Sequence, residues 1–228
     1  MKWLKRHLKP GDLRTLDVGC ASGYFTFCAA EIGNQSVGID VDERGNRKAR
    51  NIAQALGFYK TDFILLDIRI LDRFAEGLGK FDQIICLETI EHIREDRKLL
   101  KDLSHLLKPG GRLFLTAPFK FHKRVRGETL SEVEDGRHVR WGYTHDDLRS
   151  MFRECNIEVA TEEYVGGFML QQLLLVTQFL RTHCRMNKKL IWLIVSPLKP
   201  FLFFDPFVTK LFNFPYLNVA VTGIKTSN

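Results

Sequence analysis

Residues 16–23 read Leu-Asp-Val-Gly-Cys-Ala-Ser-Gly, which predicts a short apolar strand, a tight turn and the start of a helix. Gly19 and Gly23 lack a Cβ atom, so the backbone can turn sharply there and approach a ligand closely. The first amides of the next predicted helix, Tyr24–Ile32, point at the same place. The stretch is neither the dinucleotide fingerprint Gly-x-Gly-x-x-Gly nor a phosphate-binding loop that ends in Gly-Lys-Ser/Thr. Asp17 would repel a phosphate, which favours a cationic or neutral ligand group.

Strand and helix signals alternate along the first half of the chain. The predicted strands are Leu13–Val18, Ser36–Asp40, Phe63–Leu66, Phe81–Leu87 and Arg112–Ala117, and the predicted helices are Tyr24–Ile32, Glu43–Leu56 and Glu91–Leu106. This alternation predicts a doubly wound parallel α/β sheet with right-handed crossovers. Such sheets bind ligands at the carboxyl ends of their strands, where Gly19, Asp40, Asp67 and Glu88 all fall.

The last third of the chain predicts one more helix and two more strands. Thr144 is a good N-cap for a helix over Thr144–Cys155, and strands follow at Ile157–Tyr164 and Tyr216–Lys225. A short hairpin would normally join two such strands, but here the whole of 165–215 intervenes. We therefore expect a helical insertion between the sixth and seventh strands.

The insertion 165–215 is apolar with basic flanks. Its basic residues are Arg181, Arg185, Lys188, Lys189, Lys199 and Lys210. No apolar run reaches the roughly 18–20 residues of a membrane span, and we expect Pro197, Lys199, Pro200 and Asp205 to break the longest candidate. We expect a helical cap over the site, with a membrane or lipid contact and a dimer surface as the alternatives.

The turn at 16–23 resembles the first motif of class I S-adenosylmethionine-dependent methyltransferases, of the type 11/12-like group. Four more motifs resemble that family in order: Val37–Asp40, Asp67 after an apolar run, Phe81–Glu88, and Leu107–Leu115 with its Pro-Gly-Gly turn. The resemblance covers residues 12–163 and resumes near the C-terminus. It implies a Rossmann-like seven-stranded sheet with helices on both faces. Residues 1–228 then form a single methyltransferase domain, with a core of 12–164 and 216–226.

The resemblance also implies where S-adenosylmethionine binds. Asp40 would accept both ribose hydroxyls, while Asp42 is better placed to cap the helix at Glu43. Asp67 would contact the adenine amino group. Asp17 would orient the turn and approach the methionine ammonium, or serve only as a buried structural carboxylate. The predicted cofactor-binding residues are Asp17, Gly19, Cys20, Ala21, Gly23, Asp40, Val41, Asp67, Ile68, Leu87 and Glu88. Ala21 is a departure, because many family members have Gly there.

The run Glu88-Thr-Ile-Glu91-His92 is a second candidate site. On a helix, positions i, i+3 and i+4 share a face, so we expect Glu88, Glu91 and His92 to converge. Mixed oxygen and nitrogen ligands suit Mg²⁺ or a similar ion. The run resembles metal-dependent O-methyltransferases of ubiquinone biosynthesis and of small-RNA 3′ ends. Metal-free members also carry Glu-His here as residues of the substrate cavity, so a metal site, a substrate pocket and a structural role all stay open.

Candidate catalytic residues are His92, Glu91 and His138, and both His138 and His122 are candidates for a general base or a further metal ligand. His122 and His138 belong to the long basic loop Phe119–Tyr143. The arginines of this loop, Arg124, Arg126, Arg137 and Arg140, either hold an anionic group of the acceptor or form a solvated basic surface.

Composition sets broad limits on function. The chain has 228 residues, five cysteines and a formal net charge of +7. The cysteines form no Cys-x-x-Cys pair, and Met1–Gly11 lacks the apolar run of a signal peptide, so we expect a reduced cytoplasmic protein, with membrane association as the alternative. The positive charge suits an anionic membrane, a nucleic acid or an acidic substrate equally well.

The favoured function is methyl transfer to a small-molecule acceptor, a hydroxyl on a lipid, quinone or glycan-type metabolite. One alternative is a 2′-O-type RNA-modifying methyltransferase with a metal ion, although the apolar insertion suits lipid better than a phosphate backbone. The other alternative is a non-catalytic nucleotide-binding partner of another enzyme. The sequence does not fix the oligomeric state.

Overall fold

Seven strands form one mixed sheet in the computed structural model, which describes residues 2–123 and 129–226. The strands are β1 (Arg14–Val18), β2 (Gln35–Asp40), β3 (Thr61–Leu65), β4 (Phe81–Leu87), β5 (Leu107–Pro118), β6 (Ile157–Val165) and β7 (Asn218–Lys225). Their order is β3-β2-β1-β4-β5-β7-β6. The first five are parallel, and β7 runs antiparallel to both β5 and β6. The strand order reverses between β1 and β4, which opens a crevice at their carboxyl ends.

Helices cover both faces of the sheet. They are α1 (Lys2–His7), α2 (Tyr24–Glu31), α3 (Glu43–Leu56), α4 (Ala75–Leu78), α5 (Asp96–Leu106), α6 (His145–Glu154), α7 (Phe168–Thr182), α8 (Lys188–Val195) and α9 (Asp205–Leu211). Neighbouring strand residues point to opposite faces. Ile84 of β4 accordingly belongs to the core beneath α5 and α6, whereas Ile85 packs in a separate core with Trp3 and Leu4 of α1.

The predicted α/β class and the seven-stranded sheet are confirmed. Helix α3 has the predicted bounds, and Asp42 caps it by accepting a hydrogen bond from the Arg44 amide at 3.0 Å. Thr144 caps α6 through a capping box with Asp147. Helix α1 was not predicted from the sequence, because its six residues are too few to show a helical periodicity.

The insertion between β6 and β7 is helical, as predicted, but its longest apolar segment is not broken. Residues Lys188–Leu211 form one continuous helical segment of 24 residues, which is long and apolar enough, by length and composition, to cross a membrane. Pro197 and Pro200 lie in the 3₁₀-helical stretch Ser196–Phe204 that links α8 to α9. Pro197 stands at the start of this stretch, and Pro200 lies inside it.

Gly223 of β7 provides a test of this packing. A Cβ atom there would lie 2.3 Å from Ile157 Cγ2 and 2.7 Å from Phe152 Cε2. We expect Gly223→Ala to lower the free energy of unfolding by about 1–3 kcal/mol through overpacking. In α4, Gly77 has nothing within 4 Å of its Cβ position, so Gly77→Ala should raise the free energy of unfolding by about 0.5–1 kcal/mol. Urea unfolding measures the free energy of unfolding of both variants. Equal changes in the two variants would contradict the close packing of β7 against α6.

Candidate functional site

A cavity of about 260 Å³ occupies the crevice at the carboxyl ends of β1, β2 and β4. We call it the crevice cavity. Of the residues predicted to bind the cofactor, Gly19, Asp40, Val41, Asp67, Ile68 and Glu88 line it, together with Arg69, Thr89, His92, Ile93, Glu134 and Gly136. Asp17, Cys20, Ala21, Gly23 and Leu87 are absent from its lining. Six of the eleven predicted residues therefore meet in this cavity, and five do not line it.

The Asp40 carboxylate is fixed by two backbone amides. Its Oδ2 accepts a hydrogen bond from the Ala21 amide at 2.8 Å, and its Oδ1 accepts one from the Asp42 amide at 2.8 Å. A carboxylate offers about four lone-pair sites, so each oxygen can still accept a further hydrogen bond. Asp40 thus ties the end of β2 to the turn after β1 and still presents two oriented acceptors to a ligand.

The turn after β1 requires small residues in left-handed backbone conformations. Gly19 and Gly23 have φ angles of 72° and 82°, and a Cβ on Gly19 would lie 2.6 Å from Thr89 Oγ1. Ala21 also has a positive φ, 47°, and its amide is the one that binds Asp40. Alanine therefore takes the conformation that Gly would take more easily, and it keeps the hydrogen bond.

Asp17 lies buried beneath this turn. Its Oδ2 accepts a hydrogen bond from Thr26 Oγ1 of α2 at 2.7 Å. Burial raises the pKa of the Asp17 carboxyl to about 7, because the charged form loses its hydration. The side chain links β1 to α2, which fits the structural role that the sequence left open beside cofactor contact.

Asp67 lines the crevice cavity but already has a cationic partner. Arg69 Nε donates to Asp67 Oδ1 at 2.9 Å, and Arg69 Nη1 donates to Glu134 Oε2 at 3.1 Å. The hydrogen bonds from Arg69 lower the pKa of the Asp67 carboxyl. Arg69 and Glu134 were missed in the sequence, because the loop that carries Glu134 shares no motif with Asp67 and only the fold brings them together.

A second group of side chains lies next to the crevice cavity. Glu91, His92 and His138 place one potential ligand atom each within 4.8 Å of one another. Glu91 Oε1 lies 3.9 Å from the Nε2 atom of each histidine, and the two imidazole rings are 4.9 Å apart. We call these three residues the Glu–His–His cluster.

Glu91 is the unusual member of this cluster. It is fully buried, and neither carboxylate oxygen has a hydrogen-bond partner among the described residues. Burial, followed by the nearby charge of Glu88, raises the pKa of the Glu91 carboxyl to about 8. The Nδ1 atom of His92 is also buried without a partner in the described residues. Buried polar atoms are normally paired, so these atoms are available to bind a ligand.

The expectation that Glu88, Glu91 and His92 share a helical face was wrong. Helix α5 begins only at Asp96, and Ile90–His92 form a single 3₁₀ turn. Glu88 directly follows β4, has a φ of 51° and accepts a hydrogen bond from Thr116 Oγ1 at 2.6 Å, and its carboxylate is not one of the three clustered groups. His138, from the loop after β5, takes its place in the cluster.

A second cavity, of about 280 Å³, lies on the other side of Glu88. We call it the apolar cavity. Its lining residues are Trp3, Leu4, Phe25, Leu87, Glu88, Thr116, Pro118, His122, His138, Val165, Leu217 and Asn218. Helix α1 therefore supplies part of the wall. Glu88 lines both cavities, while His92 reaches the first and His138 the second.

The described arginines of the basic loop bind protein groups. Arg140 Nη1 donates to Asp96 Oδ2 at 2.5 Å and its Nη2 donates to the Ile93 carbonyl at 2.6 Å. Arg137 pairs with Asp135 at 2.7 Å. These contacts fix the loop on α5 and on itself, which favours a structural role for Arg137 and Arg140. Arg124 and Arg126 lie outside the described residues.

The buried Asp17 carboxyl predicts a pH dependence of stability. The folded carboxyl keeps its proton up to about pH 7, whereas an ordinary Asp loses it near 3.8, so the folded state binds more protons between these values. The free energy of unfolding of the ligand-free protein should therefore fall as the pH rises through this window. In urea titrations at several pH values, Asp17→Asn should flatten the dependence of the free energy of unfolding on pH. The control Asp62→Asn, at an exposed carboxylate, should leave that dependence unchanged. An unchanged slope in Asp17→Asn would contradict the assignment.

Comparison with known proteins agrees with this architecture. A family model described as a methyltransferase domain matches residues 9–156. The ubiquinone biosynthesis O-methyltransferase of Xanthomonas axonopodis pv. citri (strain 306) is 32% identical over 116 residues, which are 51% of this chain and 47% of that protein. The chain thus spans about half the length of this curated relative.

Two solved structures share the fold over 99% of the chain. The magnesium protoporphyrin IX methyltransferase of Synechocystis PCC 6803, with bound S-adenosylmethionine, has a TM-score of 0.58 and 17% identity over 76% of its chain. The [4+2]-cyclase SpnF has a TM-score of 0.62 and 20% identity over 79% of its chain. Such distant likenesses show the fold alone. The matched family model, together with the motif order and the crevice geometry, shows that the chain belongs to the class I S-adenosylmethionine-dependent methyltransferase family.

Proposed function

We propose that the protein transfers the methyl group of S-adenosylmethionine to a hydroxyl of a small-molecule acceptor. The observation that carries this proposal is the meeting of the two cavities at Glu88. The crevice cavity takes the donor and the apolar cavity takes the acceptor. Two reactants held on either side of one residue can meet in line, and such alignment is the main contribution of an enzyme to a displacement reaction.

Asp40 supports the donor half of the proposal. Its two amide-bound oxygens face a cavity that also holds Asp67, so they can accept the two ribose hydroxyls while the adenine lies toward Asp67 and Ile68. Bidentate acceptance by an ionised carboxylate is strong and fixes the orientation of a ligand.

The lining of the apolar cavity supports a small acceptor over RNA. Its described lining contains aromatic and aliphatic side chains, among them Trp3, Phe25 and Leu217, and no lysine or arginine. RNA binding relies on cations that neutralise phosphates. The similar Xanthomonas protein is named as an O-methyltransferase of ubiquinone biosynthesis, which supports a hydroxyl on a quinone-like or lipid-like molecule.

The histidines of the Glu–His–His cluster can move the proton. As the acceptor oxygen forms its bond to the methyl carbon, the carbon–sulfur bond breaks and its electron pair stays on sulfur. The hydroxyl proton passes to an imidazole, and His138 is placed for this because it lines the apolar cavity. Glu91 Oε1, 3.9 Å from His138 Nε2, then faces the positive charge that the proton brings.

The same cluster fits a divalent cation. One carboxylate oxygen and two imidazole nitrogens within 4.8 Å of one another form a mixed donor set of the kind that Mg²⁺, Mn²⁺ or Zn²⁺ accepts, and neither Glu91 oxygen has a hydrogen-bond partner in the described residues. Glu91, His92 and His138 would hold the ion. Such an ion lowers the pKa of a hydroxyl that binds to it. The nearby charge of Glu88 disfavours ionisation of Glu91 and adds to the rise in the Glu91 pKa, and a bound cation would offset this effect.

Donor binding tests the core of the proposal. Calorimetry should show that the wild type binds S-adenosylmethionine. We expect Asp40→Ala to weaken binding by roughly a hundredfold or more, because two hydrogen bonds to a charged group are lost. Asp12→Ala, at an exposed carboxylate near the opposite end of β1, should bind as the wild type does. Absence of binding in the wild type would rule out the proposed function.

Metal titration tests the cluster separately. After EDTA treatment, the wild type should bind Mn²⁺ in calorimetry and its melting temperature should rise. Glu91→Gln should lose roughly tenfold or more in affinity, since it removes the anionic ligand. Above about pH 8, where burial no longer keeps the Glu91 carboxyl protonated, metal-free Glu91→Gln should be at least as stable as the metal-free wild type, because a buried neutral amide costs less than a buried unpaired carboxylate. Glu76→Gln, exposed in α4, is the control. A wild type that binds no divalent ion would remove the metal from the proposal.

A further inference from the structure

The segment 166–217, which contains α7, α8 and α9, exposes a dense apolar surface. Fifteen of the twenty-five exposed large apolar side chains in the described residues belong to it. Phe203 and Phe207 are 81% and 69% exposed. Its helices pack largely on one another, and Ile191 and Val195 are its only large apolar side chains that are fully buried in the described structure. So much exposed apolar area in one segment marks an interaction site. We call it the insertion surface.

We propose that the insertion surface binds an anionic phospholipid bilayer, with its helices lying in the plane of the membrane interface. An amphipathic helical segment with apolar side chains and flanking cations is the usual form of such a contact. The proposal depends on the charge of the segment, on how it is attached, and on where it lies.

Charge selects the partner. The segment contains six lysines and arginines, all exposed, and one acidic residue, Asp205, which is buried. Lys199 Nζ lies 6.0 Å from the ring of Trp192, so a cation and an amphipathic ring lie together, as they do at membrane interfaces. The insertion surface of a second copy of this chain would carry the same positive charge, so the two surfaces would repel one another. Anionic headgroups would neutralise this charge.

The attachment of the segment favours a helix in the interface over a helix that spans the bilayer. Asp205, at the start of α9, accepts hydrogen bonds from the Gly167 and Met169 amides at 2.9 and 2.7 Å. Thr209 Oγ1 accepts another from the Phe168 amide at 2.7 Å. Helix α9 is therefore fastened to the first turn of α7, directly after β6. If Lys188–Leu211 crossed the bilayer, α9 would have to break these hydrogen bonds to α7, and the buried carboxylate of Asp205 would become exposed.

The position of the segment connects it to the acceptor. Val165, the last residue of β6 before the segment, and Leu217, the last residue of the segment, both line the apolar cavity. The cavity thus lies at the base of the insertion surface, and a membrane-resident amphiphile would reach it with little exposure to water. This last step rests on the proposed function, whereas binding to the bilayer does not.

Vesicle flotation tests the proposal. We expect the wild type to float with vesicles of phosphatidylcholine and phosphatidylglycerol in equal parts, not with phosphatidylcholine alone, and to be released by high salt. Phe203→Ser with Phe207→Ser should lower the bound fraction roughly tenfold or more. Lys188→Gln with Lys189→Gln should do so by a similar factor. The control, Leu56→Ser with Tyr59→Ser, changes apolar residues that are 67% and 92% exposed elsewhere and should bind like the wild type.

Quenching of Trp192 fluorescence by brominated lipids measures how deeply this side chain enters the bilayer. The Trp192→Phe variant gives the signal of the other tryptophans, which is subtracted. We expect stronger quenching by lipids brominated near the headgroup than by lipids brominated at the chain ends. The reverse order would show a spanning helix and overturn the proposal. Failure to float, or a dimer in sedimentation that Phe203→Ser with Phe207→Ser abolishes, would also overturn it. Calorimetry with S-adenosylmethionine on the same variants separates a failure here from a failure of the proposed function.

Discussion

The hydrogen bonds that Asp40 accepts from the Ala21 and Asp42 amides hold the site together. They join the turn after β1 to the end of β2, where parallel strands bring their carboxyl ends to one edge of the sheet. Because the strand order reverses between β1 and β4, that edge is open and a ligand can enter. The left-handed turn at Gly19 and Gly23 and the carboxylate of Asp40 therefore form one unit. Neither would face a ligand without the other.

The second constraint is electrostatic. Glu91 is buried with no hydrogen-bond partner for its oxygens in the described structure, which is unfavourable unless a cation or proton compensates. Two imidazoles face it, and they reach different cavities, His92 the crevice cavity and His138 the apolar cavity. In our proposal, the buried carboxylate therefore lies where the acceptor hydroxyl loses its proton. Perturbed carboxyl groups in clefts are typical of functional sites for this reason.

The insertion surface is the third feature of the structure. None of its residues lines the crevice cavity. Its exposed aromatic side chains are unfavourable in water, and its six lysines and arginines are all exposed. In our proposal an anionic bilayer covers the aromatic side chains and neutralises the cations, and the apolar cavity at the base of the segment receives an acceptor from the same bilayer. Recognition of the acceptor would then depend partly on the membrane and only partly on side chains in the cavity.

The sequence by itself determined the α/β class, the strand order along the chain, the caps at Asp42 and Thr144, and the gathering of Asp40 and Asp67. These depend on local periodicity and turn chemistry, which a sequence shows directly. Only the tertiary structure decided that Glu88 turns toward Thr116 and that His138 joins Glu91, since both depend on a positive φ and on a loop from after β5. The bridge of Arg69 to Glu134, the wall made by α1 and the unbroken helical segment Lys188–Leu211 were likewise visible only in the fold. The first two join residues far apart in the chain, and the third continues through Pro197 and Pro200, which a sequence pattern predicts to end a helix.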